Sequence, residues 1–499
     1  MPEVHRIRAT DGTPLEVVDE LVGSGVMKDV YMAPDRSYVV AFYREPVEGP
    51  ARDRLQTIIG TYRERIFSGR GGPYWEKVFR WPTHLVEVNG RTGIVVPAYD
   101  PSFYFSVGSR NGDMLDLVGR EKEGKWFASA KHRKKYLAPE ELGDWQSYFS
   151  ILIKLSRAVR RLHMAGLAHS DLSYKNVLVD PTRGGACVID IDGLVVPGKY
   201  PPDVVGTPDF IAPEVVRTAH RPVGDPSRVL PSIATDRHAL AVLAYMYLLY
   251  RHPLKGRRVH DSVDEARDER LRMGDQALFI EHPDDPSNRP GPNEQTEDTL
   301  PWSDVDRLPY PLTGPDLERL FTRAFVDGLH DPSRRPTADE WETALVRTVD
   351  RLVPCPNPRC EQKWLVGRPD RALPCPFCGA PPEGPHPVLE LFSSRGGQEH
   401  RPDRHQLMVH HNLRLYPWHT NRFVVPNERL EPHQTRPVGY FAHHQGRWVL
   451  VNQALPGMRD LSTDEPVPPR GLVELTEGRR ILLSGEDGGR LIEVKLARP

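Results

Sequence analysis

Cysteine is scarce in this 499-residue chain, with only five residues, and neither sign of charge is in excess. Lysine and arginine total 66 against 68 aspartates and glutamates. The missing charge excess removes any global pull toward nucleic acid or an anionic membrane surface, so neither is an expected partner. Long apolar runs are missing as well. The longest, "ALAVLAYMYLLY" (239–250), is too short to span a bilayer and reads as a buried core helix. The opening residues, "MPEVHRIRAT", lack the apolar segment of a secretory signal, so the expected compartment is the cytoplasm. Proline, with 50 residues, is abundant and falls in loops and linkers.

What is present is unevenly placed. Four of the five cysteines, Cys355, Cys360, Cys375 and Cys378, form a C-x4-C-x14-C-x2-C pattern. Each pair makes a short knuckle, turned by the prolines and glycine of "CPNPRC" and "CPFCG", so four thiolates converge on one tetrahedral ion. Zn2+ is the expected ion; paired disulfides in a secreted protein are the alternative. Cys187, alone in "ACVIDID", reads as core packing. A reducing compartment agrees with both readings.

The length predicts two or three domains. Residues 1–96 alternate short apolar runs ("YVVAFYR", "HLVEVNG", "GIVVPAY") with turn signals, interrupted by "DRLQTIIGTYRERIF" (53–67). This predicts a small, mostly antiparallel sheet with one helix. From about residue 140 helical periods dominate, with a short β-rich run, "NVLVD … ACVIDIDGLVV", between the first two helices. A strand-rich lobe followed by a helix-rich one predicts a ligand cleft between them. The basic stretch 119–136, "GREKEGKWFASAKHRKKY", reads as a solvated insertion or a docking surface for an acidic partner. Residues 282–316, proline-rich and acidic, read as a loop. Beyond the cysteines, "PPEGPHP" reads as a linker, and the last 110 or so residues carry short strands spaced as in an all-β sandwich.

Chemistry concentrates in fragments of fixed order: "HSDLSYKNVLVD" (169–180), "VIDIDG" (188–193), "GTPDFIAPE" (206–214), "TDRHALAVL" (235–243) and "DPSRRPTADEW" (331–341). This order resembles the protein kinase family over roughly residues 15–350. The resemblance implies an α+β, bilobal kinase-like fold over 1–350, with an N-lobe at 1–96, a hinge at 97–100 and a C-lobe at 101–350. A zinc ribbon (351–382) and a β-sandwich (383–499) are expected to follow.

The resemblance also implies roles. Asp171 accepts or orients the hydroxyl of the incoming substrate. Asn176 and Asp190 offer oxygens to Mg2+ or Mn2+, hard cations that prefer oxygen ligands. Asp192 stands where the family has glycine and is a second metal contact; a register shift of two residues swaps the two aspartates. Val30, Ala41 and Leu178 enclose the adenine of ATP, with Pro97, Ala98 and Tyr99 as the hinge. The glycine-rich turn "GSGVMKDVY" supplies Gly23 and Gly25. The family carries a phosphate-contacting lysine in its third strand, but Val40-Ala41-Phe42-Tyr43 puts tyrosine there. Lys28, at the third position of the turn, resembles the relocated lysine of the with-no-lysine kinases. Glu64 is its expected ion-pair partner.

Further implied features bear on regulation and specificity. Ser170 precedes Asp171 where most of the family has an arginine for a phosphorylated loop, which predicts activity without loop phosphorylation. Ser173 replaces a lysine, and Lys175 is the substitute charge for the transferring phosphoryl group. Thr207 matches the serine/threonine-specific branch. Glu214 should pair with Arg335, Asp236 should hold the catalytic-loop backbone, and His169 should pack beneath it.

The cysteine unit resembles a structural zinc ribbon. "GRWVLVNQALPGMRDLSTDEPVPPRGLVELTEGRRILLSG" resembles the second half of a forkhead-associated domain, without its clear upstream signature. The whole arrangement is similar to bacterial kinases of tellurite-resistance systems. That likeness implies a von Willebrand A-domain protein as substrate and an opposing metal-dependent protein phosphatase. The competing reading is a nucleotide-binding pseudokinase scaffold that recruits partners through the ribbon and sandwich. A small-molecule kinase is disfavoured by the peptide platform that "GTPDFIAPE" shapes.

Overall fold

The computed structural model describes residues 3–24, 27–196, 199–200, 206–222, 224–291, 304–370, 372–395 and 399–497. The chain divides into two compact units. The first comprises Met1–Gly143, Ser147–Tyr310 and Arg319–Glu342; the second comprises Asp144–Gln146, Pro311–Glu318 and Thr343–Pro499. The cysteine segment and the C-terminal strands, expected as separate domains, fall together in the second unit.

The first unit opens with a hairpin, β1 (Val4–Arg8) and β2 (Pro14–Val18). A five-stranded antiparallel sheet comes next, built from β3 (Leu21–Ser24), β4 (Lys28–Met32), β5 (Tyr38–Tyr43), β6 (His84–Val88) and β7 (Arg91–Pro97). Its spatial order is β3-β4-β5-β7-β6. Strand β5 reads "YVVAFY" without polar alternation because both its faces are covered. Val40 and Phe42 pack with Leu15, Val17, Val86 and Val95 on one side. Ala41 and Tyr43 pack with Leu55, Leu85 and Ile94 on the other.

The segment expected as one helix is α1 (Gly49–Thr57), a π turn at Ile58–Tyr62, and α2 (Arg63–Phe67). The π turn inserts an extra residue into the helical period and so rotates α2 relative to α1. A further helix the sequence reading missed, α3 (Gly72–Val78), begins with Pro73 in its first turn.

In the helix-rich part, α4 (Trp145–Met164) buries Tyr148, Ile151, Leu152, Leu155, Val159 and Leu162 along one stripe. A hairpin of β8 (Val177–Asp180) and β9 (Gly185–Val188) comes after it. The short helix α5 (Pro213–Thr218) precedes α6 (Ile233–Leu249). Helix α6 is buried on nearly every side, as its apolar run anticipated, and is started by a Ser232/Thr235 capping box. Among the described residues no helix is long and apolar enough to cross a membrane.

Within 119–136 the structure overturns the solvated reading. Lys122, Phe127, Ala128, Ala130 and Arg133 are buried. Two carboxylates organise this region from outside the stretch. Asp113 accepts from the backbone of Ser109, Leu117 and Val118. Glu141 accepts from the backbone of Ser106, Val107 and Gly108 and pairs with the Lys122 ammonium at 2.8 Å. Of the expected loop at 282–316, the described part contains 3-10 turns at Pro286–Asn288 and Tyr310–Thr313; residues 292–303 lie outside the described residues.

Among its described residues the second unit holds a two-stranded hairpin, Leu352–Pro354 with Trp364–Val366, and two larger antiparallel sheets, of six and four strands, whose residues share one apolar cluster including Leu389, Leu407, Phe441, Leu450, Ile481 and Ile492. The expected linker at 381–387 ends inside a strand, His386–Ser394. Asn452, after the "W-x-L" strand, is fully buried and clamps a loop by donating to Leu455 O and Val467 O while accepting from the Leu455 N–H.

Candidate active site

Strand register places the first functional group. Lys28 on β4 stands directly across from Tyr43 on β5. Opposed residues of an antiparallel pair project to the same face, so Lys28 reaches the space a lysine at position 43 would have reached. That face borders a cavity of about 910 Å³. Its walls include Gly23, Lys28, Val30, Ala41, Pro97, Ala98, Tyr99, Asp190 and Asp192. Gly25, the other turn glycine, lies outside the described residues. The volume is that of a site for a nucleotide-sized ligand, and its walls mix apolar side chains with charged ones of both signs.

The Lys28 Nζ lies 3.1 Å from Asp190 Oδ1 and 2.6 Å from Asp192 Oδ2. The Tyr43 hydroxyl donates to the same Asp192 oxygen. Burial works against the charge on Lys28, but Asp192 and then Asp190 outweigh it and hold the ammonium above the ordinary lysine range. Burial likewise opposes ionisation of Asp192, and Lys28 reverses it. Asp190 adopts a left-handed backbone with φ of 58°, a conformation non-glycine residues rarely take and one concentrated at functional sites.

The neighbouring loop carries the second group. Asp171 Oδ1 accepts from the Thr207 backbone N–H at 2.6 Å and from its hydroxyl at 2.8 Å. Asp171 Oδ2 accepts from the Asn176 amide at 2.9 Å. Asn176 spends its Nδ2 on Asp171 and so leaves its Oδ1 without a partner among the described residues, as a metal-binding oxygen requires. The loop is fixed from two directions. Asp236 accepts from the backbones of His169 and Ser170. The His169 Nε2 donates to Ile189 O, and the Ile189 N–H donates to Asn176 O, which ties the loop to the turn bearing Asp190. Beyond it, Arg335 meets Glu214 through two bonds of 2.8 and 2.7 Å, both residues buried.

Two expectations need correction. Lys28 is paired with Asp190 and Asp192 rather than with Glu64, whose side chain is exposed on α2. The π turn rotates that glutamate away; the charged residue buried on the site side of α1 is Arg54, close enough to Tyr43 and Asp192 to feel both electrostatically. Leu178 does not line the cavity. It is fully buried in a cluster with Phe103 and Cys187, against which Ile189 packs, and Ile189 is a wall residue instead. Lys175 is exposed on the loop that bears Asp171, and its ammonium makes no hydrogen bond or ion pair among the described residues. The sequence reading also missed wall residues Arg80, Leu117, Arg120, Glu121 and Trp126. The aromatics of "GKWF" in a basic stretch were the one available signal.

In the second unit, the Sγ atoms of Cys355, Cys360, Cys375 and Cys378 lie within 4.8 Å of one another. Each knuckle is turned by backbone bonds, Cys355 N–H to Lys363 O and Cys375 N–H to Ala380 O. The hydrogen bond from Cys375 pushes the Cys360 thiol down to about 5, while burial pushes Cys355 up to about 11. Four sulfurs this close ionise together only around a cation, so the donor set fits a tetrahedral zinc with no open position.

Comparison with known proteins agrees with the first unit's architecture. Residues 121–342 match the family model of the protein kinase domain. The match begins after the sheet, so Lys28 and Tyr43 lie outside it. The chain is similar to the death-associated protein kinase dapk-1 of Caenorhabditis elegans, 32% identical over 267 residues, covering 51% of this chain and 15% of that protein. It is also similar to the serine/threonine-protein kinase PknD of Chlamydia abortus, 30% identical over 152 residues, covering 24% and 15%. A human relative, dual specificity testis-specific protein kinase 1, is 37% identical over 89 residues, 16% of this chain and 14% of its own. The chain thus spans about one seventh of these relatives' length. Together they support a eukaryotic-like protein kinase domain in the first unit.

Proposed function

We propose that the chain is an ATP- and Mg2+-dependent protein kinase directed at serine or threonine hydroxyls. The observation that carries this reading is the convergence of Lys28, Asp190 and Asp192 on one cavity, with Asp171 and Asn176 on the adjoining loop. Phosphoryl transfer asks for positioning and charge neutralisation, and these residues supply both. Val30 and Ala41 would bear on the base, with Pro97, Ala98 and Tyr99 along its edge. The Tyr99 N–H has no acceptor among the described residues and the Ala98 N–H is spent on Ser37 O, which leaves Tyr99 to donate. Lys28 would bind the phosphates. Asp171, oriented by Thr207 and Asn176, would take the proton as the substrate oxygen bonds to the γ-phosphorus and the bond to ADP breaks. Asn176 and Asp190 would hold Mg2+, which neutralises charge on the transferring group. The engaged state of Asp171 and Asn176 favours this over a decayed scaffold.

The finer calls rest on resemblance. The four cysteines would hold a structural zinc, the C-terminal sheets would form a forkhead-associated-like sandwich, and the protein substrate would be a von Willebrand A-domain protein dephosphorylated by a metal-dependent phosphatase. The direct test is transfer of radiolabel from γ-labelled ATP to generic serine, threonine and tyrosine peptides. Label on serine or threonine that Asp171→Asn abolishes supports the reading; ATP binding with no transfer to any peptide or to the chain itself rejects it.

A further inference from the structure

The ammonium of Lys28 is held by the turn after β9, and among the described residues no side chain of α1 or α2 pairs with it. Two carboxylates touch it in unequal settings: the Asp192 side chain is 9% exposed and that of Asp190 is 49% exposed. Asp192 Oδ2 receives the ammonium at 2.6 Å and also the Tyr43 hydroxyl. Because Lys28 and Tyr43 are cross-strand partners, the two donors arrive from one face onto one buried oxygen. A carboxylate buried in this way is committed to the protein, since losing its partners leaves an uncompensated charge. Asp190, half-exposed to the cavity, keeps surface for a metal. The helix side contributes the opposite sign, through buried Arg54.

We propose that Asp192 is the positioning residue for Lys28, taking the place of a helix acid as its anionic anchor. Tyr43, where the strand lysine would stand, orients that anchor. One turn, residues 190–192, then sets both the lysine and the exposed carboxylate, and displacement of α1 leaves the lysine in place. Its catalytic meaning rests on the kinase reading above; the anchoring itself does not.

The test uses the full chain. Without nucleotide, Lys28 is labelled by an amine acylating reagent and followed by mass spectrometry, the other lysines serving as internal controls. Asp192→Asn is expected to speed Lys28 acylation about tenfold or more by freeing the ammonium. Unchanged labelling in a variant with native near-ultraviolet circular dichroism overturns the anchoring. Should Asp192→Asn not fold, Tyr43→Phe removes one hydroxyl only and must still speed labelling at Lys28; no change there overturns the proposal equally. Affinity for Mg·ATP supplies a cycle. Asp192→Asn should weaken it about tenfold beside Lys28 but less than about twofold in Lys28→Met, because the two act as a unit. Equal losses in both backgrounds assign Asp192 to the metal or nucleotide directly and overturn the proposal. A wild-type chain that transfers no phosphate rejects the kinase reading while the labelling result still decides the anchoring.

Discussion

At residue scale, Asp171 has both its oxygens engaged, by Thr207 and Asn176. Asp171→Asn keeps the shape and removes the proposed base, so kcat should fall by about a thousandfold with nucleotide affinity little changed. Stability has its own buried group. Arg335 satisfies its guanidinium with Glu214, Ala234 O, Gly328 O and Leu329 O. Arg335→Met strands a buried carboxylate and should cost about 3–5 kcal/mol in chemical denaturation. Lysine is expected to recover little, because it cannot reproduce the bidentate geometry. His252 sets a pH limit. Its Nδ1 accepts from the Leu254 N–H and its Nε2 donates to Asp209 O, and burial pushes its pKa down to about 4. The unfolded chain takes up a proton near pH 6.5 that the folded one refuses. The stability this ring contributes is therefore complete above pH 6.5 and is lost as pH falls toward 4, about 3 kcal/mol in total. Thermal melts between pH 4 and 7 should show the slope, and His252→Gln should flatten it; an identical slope in the variant contradicts this assignment.

At element scale, α2 is latched by reciprocal arginines. Arg161 of α4 donates to the carbonyls of Arg65, Ile66 and Ser68, and Arg65 donates to those of Met164 and Ala165. These caps satisfy helix-end carbonyls that would otherwise lack partners. Arg161→Ala should speed amide hydrogen exchange across 63–68 by about tenfold, the equivalent of one such bond. Activity should change less, because Lys28 is not paired with this helix. Sequence pattern revealed some of this and concealed the rest for physical reasons. The Lys28–Tyr43 relation was legible because strand register is local and "YVVAFYR" fixes it. The loss of Glu64 was not, since a π turn leaves helical periodicity almost intact while rotating the residues C-terminal to it. The wall at 119–136 was hidden because its charges read as solvated, whereas the Lys122 ammonium is buried against Glu141, a partner outside the stretch. Leu178 holds the expected position in its motif, and only packing distinguishes it from Ile189.

At the scale of the whole molecule, two units with different stabilising devices should respond to different reagents. The second contains the four-cysteine cluster and a buried carboxylate, Asp350, hydrogen-bonded to both His405 and His419. Metal analysis of the purified chain should find about one zinc, as a closed four-sulfur site implies. Its removal by a strong chelator should lower the melting of the second unit by roughly 5–10 °C. Cys360→Ser should do the same, while Mg·ATP affinity in the first unit should survive both treatments. The cavity and the loop that bears Asp171 belong to the first unit, and under the proposed function the phosphate-binding cation comes from β4. The most direct measurement is the rate of phosphoryl transfer by Lys28→Met at saturating Mg·ATP, beside the wild type. A loss of about a hundredfold or more is expected for removal of a charge aimed at the phosphates. Transfer at the wild-type rate would show that another cation serves the nucleotide, and would contradict the assignment of Lys28.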